Sequence, residues 1–429
     1  MDYVKKDLGA YNLHIIKTNL YKTITVKIFF REEALKENIT KRNFLSRIMM
    51  LGSNDYKTKV ELTKAEQDLY AVNISSTNRR IGNYLDTGLS LKVLHDKYTE
   101  EGNFEKSLDL LDSLIFNPKV SNNAFDEADF NTVYEEYKAD LNSLVENKMT
   151  YALIKGLEAT DYKSVISYRG IGYLEDLEKI TKENLYDYYK NVISHNFVDI
   201  FVLGDVDIES ITNIIRDKFK INTFKKKPIN ALVKPIKTSR IKTVKEKIKA
   251  EQDNLIITLS LNNLTEYERN YPLSLYNAIL GGGTESLLFS EVREKNSLAY
   301  YISSTPNKLD NLIIIRGGIT KDKSMEAVSI IKKILKDLEN GKIDDDKLTK
   351  AKEYYTSAID DIIESPFQII ESYYMIELLG VDDIETKRKK MLKVTKEEVI
   401  ALAKKIKINT IYILEGSDDN GENWTKKSR

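Results

Sequence analysis

The sequence predicts an α+β protein of two tandem homologous domains, each an antiparallel sheet covered by helices on one side. Each half of the chain starts with short alternating apolar segments, which are typical of strands, and continues with longer segments at helical spacing. That order favours a sheet with helices packed on it. Five segments of the first half also recur in the second half in the same order, which indicates an internal duplication.

The repeated segments keep their order while the offset between them drifts slowly, as small loop insertions would produce. The separation is 227 residues between Lys41 and Glu268 in the first pair and 211 between Ile200 and Ile411 in the last. A period this long excludes a solenoid and predicts two domains of roughly 200 residues each. The pairs are KRNFLS with ERNYPLS, NISST with YISST, FEKSLDLLDSL with MEAVSIIKKIL, VYEEYKADL with AKEYYTSAI, and IFVLGDVD with IYILEGSD.

A stretch rich in lysine and proline, with little periodicity, separates the two halves. We therefore place the first domain at residues 1–222, a linker at 223–242 and the second domain at 243–429. The basic run Lys225–Lys227 inside this linker is typical of a solvated spacer rather than of a binding patch.

In the first half, apolar spacing predicts helices that end or begin at recognisable residues. Pro118 ends one helix because proline lacks the amide that a helix needs, and Thr181 caps another. The predicted strands lie within residues 11–30 and over 68–76, 83–95 and 198–203, and the predicted helices over 43–51, 104–116, 125–143, 148–160, 181–193 and 208–219.

Composition narrows the function classes. Lysine plus arginine and aspartate plus glutamate both number 66, so no net charge points to a nucleic-acid or membrane partner. The chain has no cysteine, which excludes disulfides and thiolate chemistry within it. The N-terminal segment lacks the apolar core of a signal peptide. The sequence also contains no run of 18 apolar residues, which a transmembrane helix would need. We therefore expect a cytoplasmic protein.

The most informative stretch runs from residue 280 to 304 and begins with Gly281, Gly282 and Gly283. Glycine allows positive φ and close approach of the backbone to other groups, so this turn is a candidate binding element. No Gly-Lys-Ser/Thr follows, so it is not a phosphate-binding P-loop. Spacing alone leaves open a second interpretation, in which the stretch is an ordinary turn, an amphipathic helix and a core strand.

After the glycines, residues 286–295 have the pattern of a short helix, with Thr284 or Ser286 as its side-chain cap. Arg293 then lies in the last turn of this helix. An arginine at that place stays charged at any physiological pH and presents several hydrogen-bond donors.

The strand predicted over residues 298–303 carries two tyrosines, Tyr300 and Tyr301. Successive residues of a strand point to opposite faces, so only one of the two can share a cavity with Arg293. The apolar side of the alternation includes Tyr300, which by itself favours a core position for that residue. The pattern leaves the choice between the two tyrosines open.

The stretch LGGG…S.LF.E.RE…LAY resembles the second-domain signature of the insulinase (pitrilysin) metallopeptidase family. That family is built from tandem domains of this kind, so the duplication supports the resemblance, which covers essentially the whole chain. In the family, an Arg and a Tyr seven residues later line the substrate chamber, which implies Arg293 and Tyr300 here. The family's glycine-rich substrate loop implies a role for the shorter run at Gly281, Gly282 and Gly283.

Family members that hydrolyse peptides carry His-x-x-Glu-His on a first-domain helix, where the two His bind zinc and the Glu is the general base. The corresponding positions of this sequence hold Asn43, Ser46 and Arg47. The usual ligands and the base are therefore missing, and the positive charge of Arg47 opposes metal binding. The resemblance thus implies the metallopeptidase fold without its metal site.

No other residues replace the missing ligands in the sequence. The three histidines, His14, His95 and His195, have no partner at helical spacing and are interpreted as structural or surface residues. Glu135 and Glu136 lie where the family's third zinc ligand would come from, but without the histidines they are interpreted as a charged helix face. We therefore predict no metal or other cofactor in this chain.

Some members of the family work as two different chains, one with the zinc site and the other with the Arg/Tyr pair. The resemblance implies that this chain is the zinc-free subunit, with zinc in an insulinase-family partner and a peptide as substrate. Self-association into a homodimer in isolation is left open. Two alternatives remain: a structural or assembly subunit without a proteolytic role, and a self-sufficient enzyme with an unusual metal site, which the lack of clustered ligands disfavours.

Overall fold

The computed structural model describes residues 1–221, 228–238 and 240–418. The basic run Lys225–Lys227 of the predicted linker lies outside the described residues. Contacts divide the chain into two compact units. Unit 1 comprises Met1–Asn142, Arg169–Asn230 and Ser365–Glu371, and unit 2 comprises Ser143–Tyr168, Ala231–Glu364 and the chain from Ser372 onward. Each unit thus includes a segment from the other half of the sequence. The predicted domain boundaries at residues 222 and 243 therefore describe the sequence repeat and remain a prediction.

The first half of the chain alternates strands and helices largely as predicted. The predicted helix at 148–160 has those bounds in the structure, and Thr181 caps the next long helix in a capping box with Asn184. The elements are β1 (Asp2–Asp7), β2 (Asn12–Lys17), β3 (Thr23–Glu33), α1 (Lys36–Ile48), α2 (Lys59–Asp68), β4 (Asn73–Ile81), β5 (Tyr84–Leu94), α3 (Asn103–Phe116), β6 (Val120–Ser121), β7 (Ala124–Phe125), α4 (Glu127–Asn142), α5 (Lys148–Thr160), α6 (Leu174–Leu177), α7 (Lys182–His195), β8 (Phe197–Gly204) and α8 (Ile208–Lys218).

One predicted strand starts later than expected. The prediction began at residue 68, whereas helix α2 continues to Asp68 and strand β4 begins at Asn73. The helix is favoured because Thr58 and Glu61 form a capping box at its start, each side chain accepting a backbone N–H. This local capping signal was missed in the sequence.

The second half repeats the order of the first. Its elements are β9 (Lys242–Lys249), β10 (Gln252–Leu261), α9 (Glu266–Asn270), α10 (Pro272–Gly281), a π-helical segment (Phe289–Lys295), β11 (Ala299–Asn307), β12 (Leu312–Thr320), α11 (Ser324–Glu339), α12 (Asp345–Ile363), α13 (Pro366–Leu379), α14 (Ile384–Lys393), α15 (Lys396–Ala403) and β13 (Ile406–Ser417). None of the helices within the described ranges is long and apolar enough to cross a bilayer.

Apart from the additional edge strand β1 of unit 1, the two large sheets have the same topology, which confirms the predicted duplication. Unit 1 has the strand order β1-β2-β8-β3-β5-β4, and unit 2 has β9-β13-β10-β12-β11 when it is written in the same direction. Strands β4 and β11 are therefore equivalent edge strands, and they carry the repeated NISST and YISST segments. The sheets are antiparallel except for one parallel pair in each, β2 with β8 and β9 with β13.

Each sheet buries one face against helices in an apolar core. In unit 1 the core includes Val26 and Ile28 of β3 with Leu108 and Leu111 of α3. The second face of the unit 2 sheet also carries a helix, because Ala152 of α5 packs with the side chains of β10 and β13. Helices thus lie on both faces of that sheet, whereas the sequence pattern predicts one covered side.

Candidate functional site

Helix α1 carries the three positions at which the resemblance implies a lost metal motif. The Asn43 amide donates to the carbonyl of Ile39 at 3.0 Å and to that of Gly170 at 2.8 Å. The Ser46 hydroxyl donates to the carbonyl of Asn43 at 2.9 Å, a bond within the helix. Both side chains therefore satisfy backbone groups of unit 1 and hold the helix in place.

The third position, Arg47, is paired within the same unit. Its guanidinium lies 2.7 Å from Asp140 of α4 and stacks over the Tyr137 ring, with 4.5 Å between Cζ and the ring centroid. A cation–carboxylate pair therefore occupies the place where the resemblance implies a metal in active relatives. Such a pair supplies its own charge balance, so no bound cation is needed to neutralise Asp140.

The histidines take part in structural contacts, as predicted. His14 is fully buried, stacks on Phe201 and lies 2.8 Å from the Tyr3 hydroxyl and 3.2 Å from Asp199. Burial tends to raise the pKa of Asp199, but its hydrogen bond to His14 and the nearby charge of Arg31 outweigh this and hold that pKa below its usual range. Across the described residues, no group of three His, Cys, Asp or Glu side chains is placed to hold a metal ion.

The glycines and Arg293 line one open cleft in unit 2. Its volume is about 540 Å³, and it lies between the end of α10, the π-helical segment and the edge strand β11. The residues that line it are Asn277, Gly281, Gly282, Gly283, Thr284, Phe289, Arg293, Tyr301, Ile302, Ser303, Ser304, Thr305, Pro306, Arg316 and Tyr354. We call this the arginine cleft.

Gly281 is required by close packing. A Cβ at this position would lie 2.6 Å from the Ser304 hydroxyl and 2.7 Å from both the Ser304 amide and a methyl of Leu288. The three glycines do not use the positive φ that the sequence analysis considered, and Gly282 has φ −81°. Gly281 therefore lets helix α10 approach strand β11 closely, whereas a Cβ at Gly282 would meet Ala278 of the same helix and one at Gly283 would meet the Tyr354 ring.

The helix after the glycines is not capped as predicted. The Ser286 hydroxyl donates back to the carbonyl of Gly283 at 2.5 Å, and the π-helical segment starts without a side-chain cap. Ser286 is thus used to close the glycine turn, and neither it nor Thr284 caps the helix. A π-helical segment is uncommon and occurs frequently at functional sites.

The Arg293 guanidinium is available for a ligand. It lies over the Phe289 ring, with 4.8 Å from Cζ to the centroid, and forms no ion pair or hydrogen bond to a carboxylate in the described part of the chain. The ring supports the planar cation on one side and leaves its N–H groups free. The residue thus combines a fixed position with unused donors.

A β-bulge changes the expected geometry of the two tyrosines. Ala299 pairs with Ile319 and Tyr301 with Gly318, which leaves Tyr300 as the extra residue of strand β11. The strict alternation is therefore broken, and Tyr300 and Tyr301 are 63% and 37% exposed. Tyr301 lines the arginine cleft, and Tyr300 does not lie among its lining residues. Neither tyrosine is in the core.

The Tyr301 phenol is suited to donate a hydrogen bond. Its ring lies against Gly318, where a Cβ would come within 2.7 Å of the ring. Burial raises the pKa of Tyr301, and the nearby Arg316 guanidinium partly opposes that effect. The hydroxyl therefore remains protonated at neutral pH.

Sequence reasoning missed Arg316 and Tyr354, which also line the cleft. Arg316 lies on strand β12, at an exposed position in a run that otherwise contains isoleucine and glycine. A single charge in such an apolar strand is the signal that could have indicated it. Tyr354 comes from helix α12, and only the folded chain brings it to Gly283.

The fold and the site share the features of an insulinase-type scaffold: two repeated domains, without the usual metal motif in the first and with an arginine in the second that has no carboxylate partner among the described residues. Residues 179–355 match the family model of the Peptidase M16 inactive domain. These residues are thus similar to the inactive domain of the insulinase-like (M16) family, which confirms the resemblance seen in the sequence.

Similarity to individual proteins extends over more of the chain. A probable inactive metalloprotease, YmfF of Bacillus subtilis, is 26% identical over 97% of this chain and 99% of its own length. An uncharacterized zinc protease of the same organism, YmxG, is 25% identical over 60% of this chain and 61% of its own. A conserved protein from Enterococcus faecalis has the same fold, with a TM-score of 0.90, 26% identity and coverage of 98% of this chain and all of that one.

Proposed function

We propose that this chain is the non-catalytic subunit of a heterodimeric zinc peptidase, which supplies a substrate-binding cleft to a zinc-bearing insulinase-family partner. One contrast carries the proposal: Arg47, at the lost metal position, is paired with Asp140, whereas Arg293 presents unused donors in an open cleft. A chain that only supports an assembly has no need of an exposed, unpaired arginine held over an aromatic ring.

The chemistry that Arg293 would support is stabilisation of negative charge on a carbonyl oxygen. Peptide hydrolysis develops such charge, and the partner's zinc would bear part of it as a Lewis acid. Preorganised donors stabilise the remainder most effectively when they are already in position. In this proposal Arg293 donates to the oxygen with Tyr300, and Tyr301 is the second candidate for the phenol because it lines the cleft.

The substrate would bind as an extended peptide beside strand β11. This strand is at the edge of the unit 2 sheet, so an added strand could pair with its backbone. Gly281, Gly282 and Gly283 lie in the same cleft and allow a close approach. Backbone pairing would select extended or unfolded peptides in preference to a folded protein.

Two relatives support the partner part of the proposal. Bacillus subtilis has both a relative named as an inactive metalloprotease and one named as a zinc protease. Two different chains of one family are what a heterodimer requires. We also place the complex in the cytoplasm, as the sequence analysis expects, and the lack of cysteine in the chain fits a reducing compartment.

The proposal is tested by reconstitution with a relative that carries His-x-x-Glu-His. Zinc-dependent cleavage of an unfolded peptide should require both chains, and Arg293→Ala should slow turnover roughly 10²-fold, the usual loss for one such donor. Tyr300→Phe and Tyr301→Phe, compared side by side, identify which phenol contributes. Arg216→Ala, an exposed arginine of α8, is the control and should leave turnover unchanged.

Two outcomes would contradict the proposal. Full turnover with Arg293→Ala in an intact complex would remove the assigned role of the arginine. Failure of every zinc-bearing relative to co-purify with the chain, together with stable association with another assembly, would favour the structural alternative. Stoichiometric zinc in the purified chain alone would instead indicate a self-sufficient enzyme.

A further inference from the structure

A second cleft adjoins the arginine cleft in unit 2. Its volume is about 500 Å³, and it shares Thr305, Pro306 and Arg316 with the arginine cleft. We call it the lysine cleft, because Lys308 lies in its wall. Since the two clefts have lining residues in common, they form one continuous surface along strand β11.

This surface is positively charged. Its described lining residues include Arg293, Arg316 and Lys308, and neither lining contains an aspartate or a glutamate. In a chain with 66 acidic and 66 basic residues, such a segregated surface is a local feature and does not follow from composition. Clefts lined by one sign of charge concentrate ligands of the opposite sign.

Arg316 is the central cation, because it belongs to both clefts. It is exposed on β12 and makes no ion pair or side-chain hydrogen bond with any residue of the described ranges. Other arginines of the chain are neutralised locally, as Arg79 is by Asp86 at 3.2 Å and by Glu371 at 2.7 Å. The charge of Arg316 is therefore available to a ligand.

Lys308 contributes to the wall of the lysine cleft, but its ammonium already has partners within unit 2. Its ammonium donates to the carbonyl of Asn270 at 3.2 Å and to the Ser274 hydroxyl at 3.0 Å, both neutral acceptors. Burial, with Lys387 and Arg269 nearby, lowers the pKa of Lys308 to about 7. A carboxylate that bound there would favour the charged form.

The remaining walls of the lysine cleft are mostly apolar. They include Leu153 of α5, Pro306, Ile314 and Met375. Apolar walls lower the local dielectric, so a guanidinium at the rim attracts an anion more strongly than it would in open solvent. They also favour a ligand that places apolar groups beside its charge.

We infer that the substrate of the proposed peptidase is an acidic peptide, and that Arg316, with Arg293, selects carboxylate side chains along strand β11. This inference rests on the proposed function, since it assumes that a peptide occupies the cleft. Arg316 is assigned as a specificity-determining residue, not as a group that acts on the scissile bond. Guanidinium groups suit this task because they bind carboxylates bidentately and stay charged.

The test measures binding of fluorescent peptides to the full chain without a partner. The peptides have identical length and blocked ends and carry Glu, Gln or Lys at the same positions. We expect the Glu peptide to bind most tightly, and Arg316→Gln to weaken it about fivefold while leaving the Gln peptide unaffected. Added salt should reduce the preference for Glu, because these contacts are exposed. Arg216→Gln, at an exposed position of unit 1, is the matched control and should change nothing.

The outcomes separate this inference from the function on which it rests. Equal binding of the Glu and Gln peptides would overturn the acidic selectivity and leave the peptidase proposal intact. Absence of binding by all three peptides would instead count against a peptide cleft in this chain. A further set of peptides has a free C-terminus. Tighter binding through that carboxylate alone, without any gain from Glu side chains, would also overturn the inference.

Discussion

Each domain has an arginine at the same place in the repeated segments KRNFLS and ERNYPLS, and the two arginines have different hydrogen-bond partners. Arg42 of unit 1 is fully buried and donates to Glu32 at 2.9 Å and to the Asn196 side chain at 3.0 Å. Arg269 of unit 2 is also buried, but its partner is the neutral Asn311 side chain at 2.8 Å. The same residue type is thus an ion pair in one repeat and an amide hydrogen bond in the other.

The pKa values of the two arginines move in opposite directions for this reason. Burial lowers the pKa of Arg269, and the nearby acidic groups do not compensate for it. Burial would also lower the pKa of Arg42, but Tyr188 and Glu32 outweigh it, and that pKa rises. In unit 1, cations such as Arg42 therefore form internal ion pairs. In unit 2, Arg293 and Arg316 of the arginine cleft have no carboxylate partner among the described residues.

The largest effect is expected from breaking the buried pair of unit 1. Arg42→Met should reduce the free energy of unfolding by about 3–5 kcal/mol, because it leaves Glu32, whose side chain is only 12% exposed, without its counter-charge. Arg269→Met should cost only about 1–3 kcal/mol, because Asn311 still donates to the carbonyl of Val233 at 2.7 Å. Denaturant unfolding of both variants measures the difference, and equal losses would contradict the comparison.

A smaller loss is expected at the wall of the arginine cleft. Gly281→Ala should destabilise the protein by about 1–3 kcal/mol, because the new methyl group would overlap the backbone and hydroxyl of Ser304. Gly170→Ala is the control, since a Cβ there meets no atom within 4 Å. A loss at Gly281 no larger than that at Gly170 would show that helix α10 can move away from β11 at little cost.

The paired arginine at the lost metal position should matter less. Arg47→Met removes the ion pair with Asp140, whose members are 33% and 52% exposed, and the contact with the Tyr137 ring. We expect a loss of about 0.5–1 kcal/mol in denaturant unfolding, as for other exposed pairs. The loss should shrink in high salt, and a salt-independent loss would indicate that packing on Tyr137 dominates.

The last prediction is a pH dependence in the lysine cleft. The pKa of Lys308 is lowered to about 7 in the folded chain, from an ordinary value of 10.5. Between these values the unfolded chain binds more protons, so the contribution of Lys308 to stability rises with pH. Below pH 7 the buried Lys308 is charged in the folded chain, which lowers the free energy of unfolding. Lys308→Met should therefore stabilise the protein most below pH 7, and the gain should decline as the pH rises.

Measuring unfolding at several pH values checks this prediction. The groups around Lys308 are Ser274 of α10, Arg269 of α9 and Lys387 of α14, and Asp382 acts on Lys387. Lys333→Met, an exposed lysine on α11, is the control. A gain that does not change with pH would mean that Lys308 keeps its charge in the folded chain throughout the range.

The tyrosine pair shows where sequence reasoning reached its limit. The spacing and alternation described Tyr300 and Tyr301 as residues of a regular strand. The bulge at Tyr300 depends on how β11 pairs with β12, a contact between segments that hydrogen-bond only after folding. The same applies to Arg316 and Tyr354, which come from β12 and α12 and meet Arg293 only at the cleft.

The sequence by itself determined the duplication, most of the strands and helices of the first half, and the absence of the usual ligands at Asn43, Ser46 and Arg47. These features are local, because apolar periodicity and residue identity are read along the chain. Only the tertiary structure decided that Arg47 is paired and that Arg293 and Arg316 are free. Whether a charge has a partner depends on residues far away in sequence, and no local pattern encodes their distance.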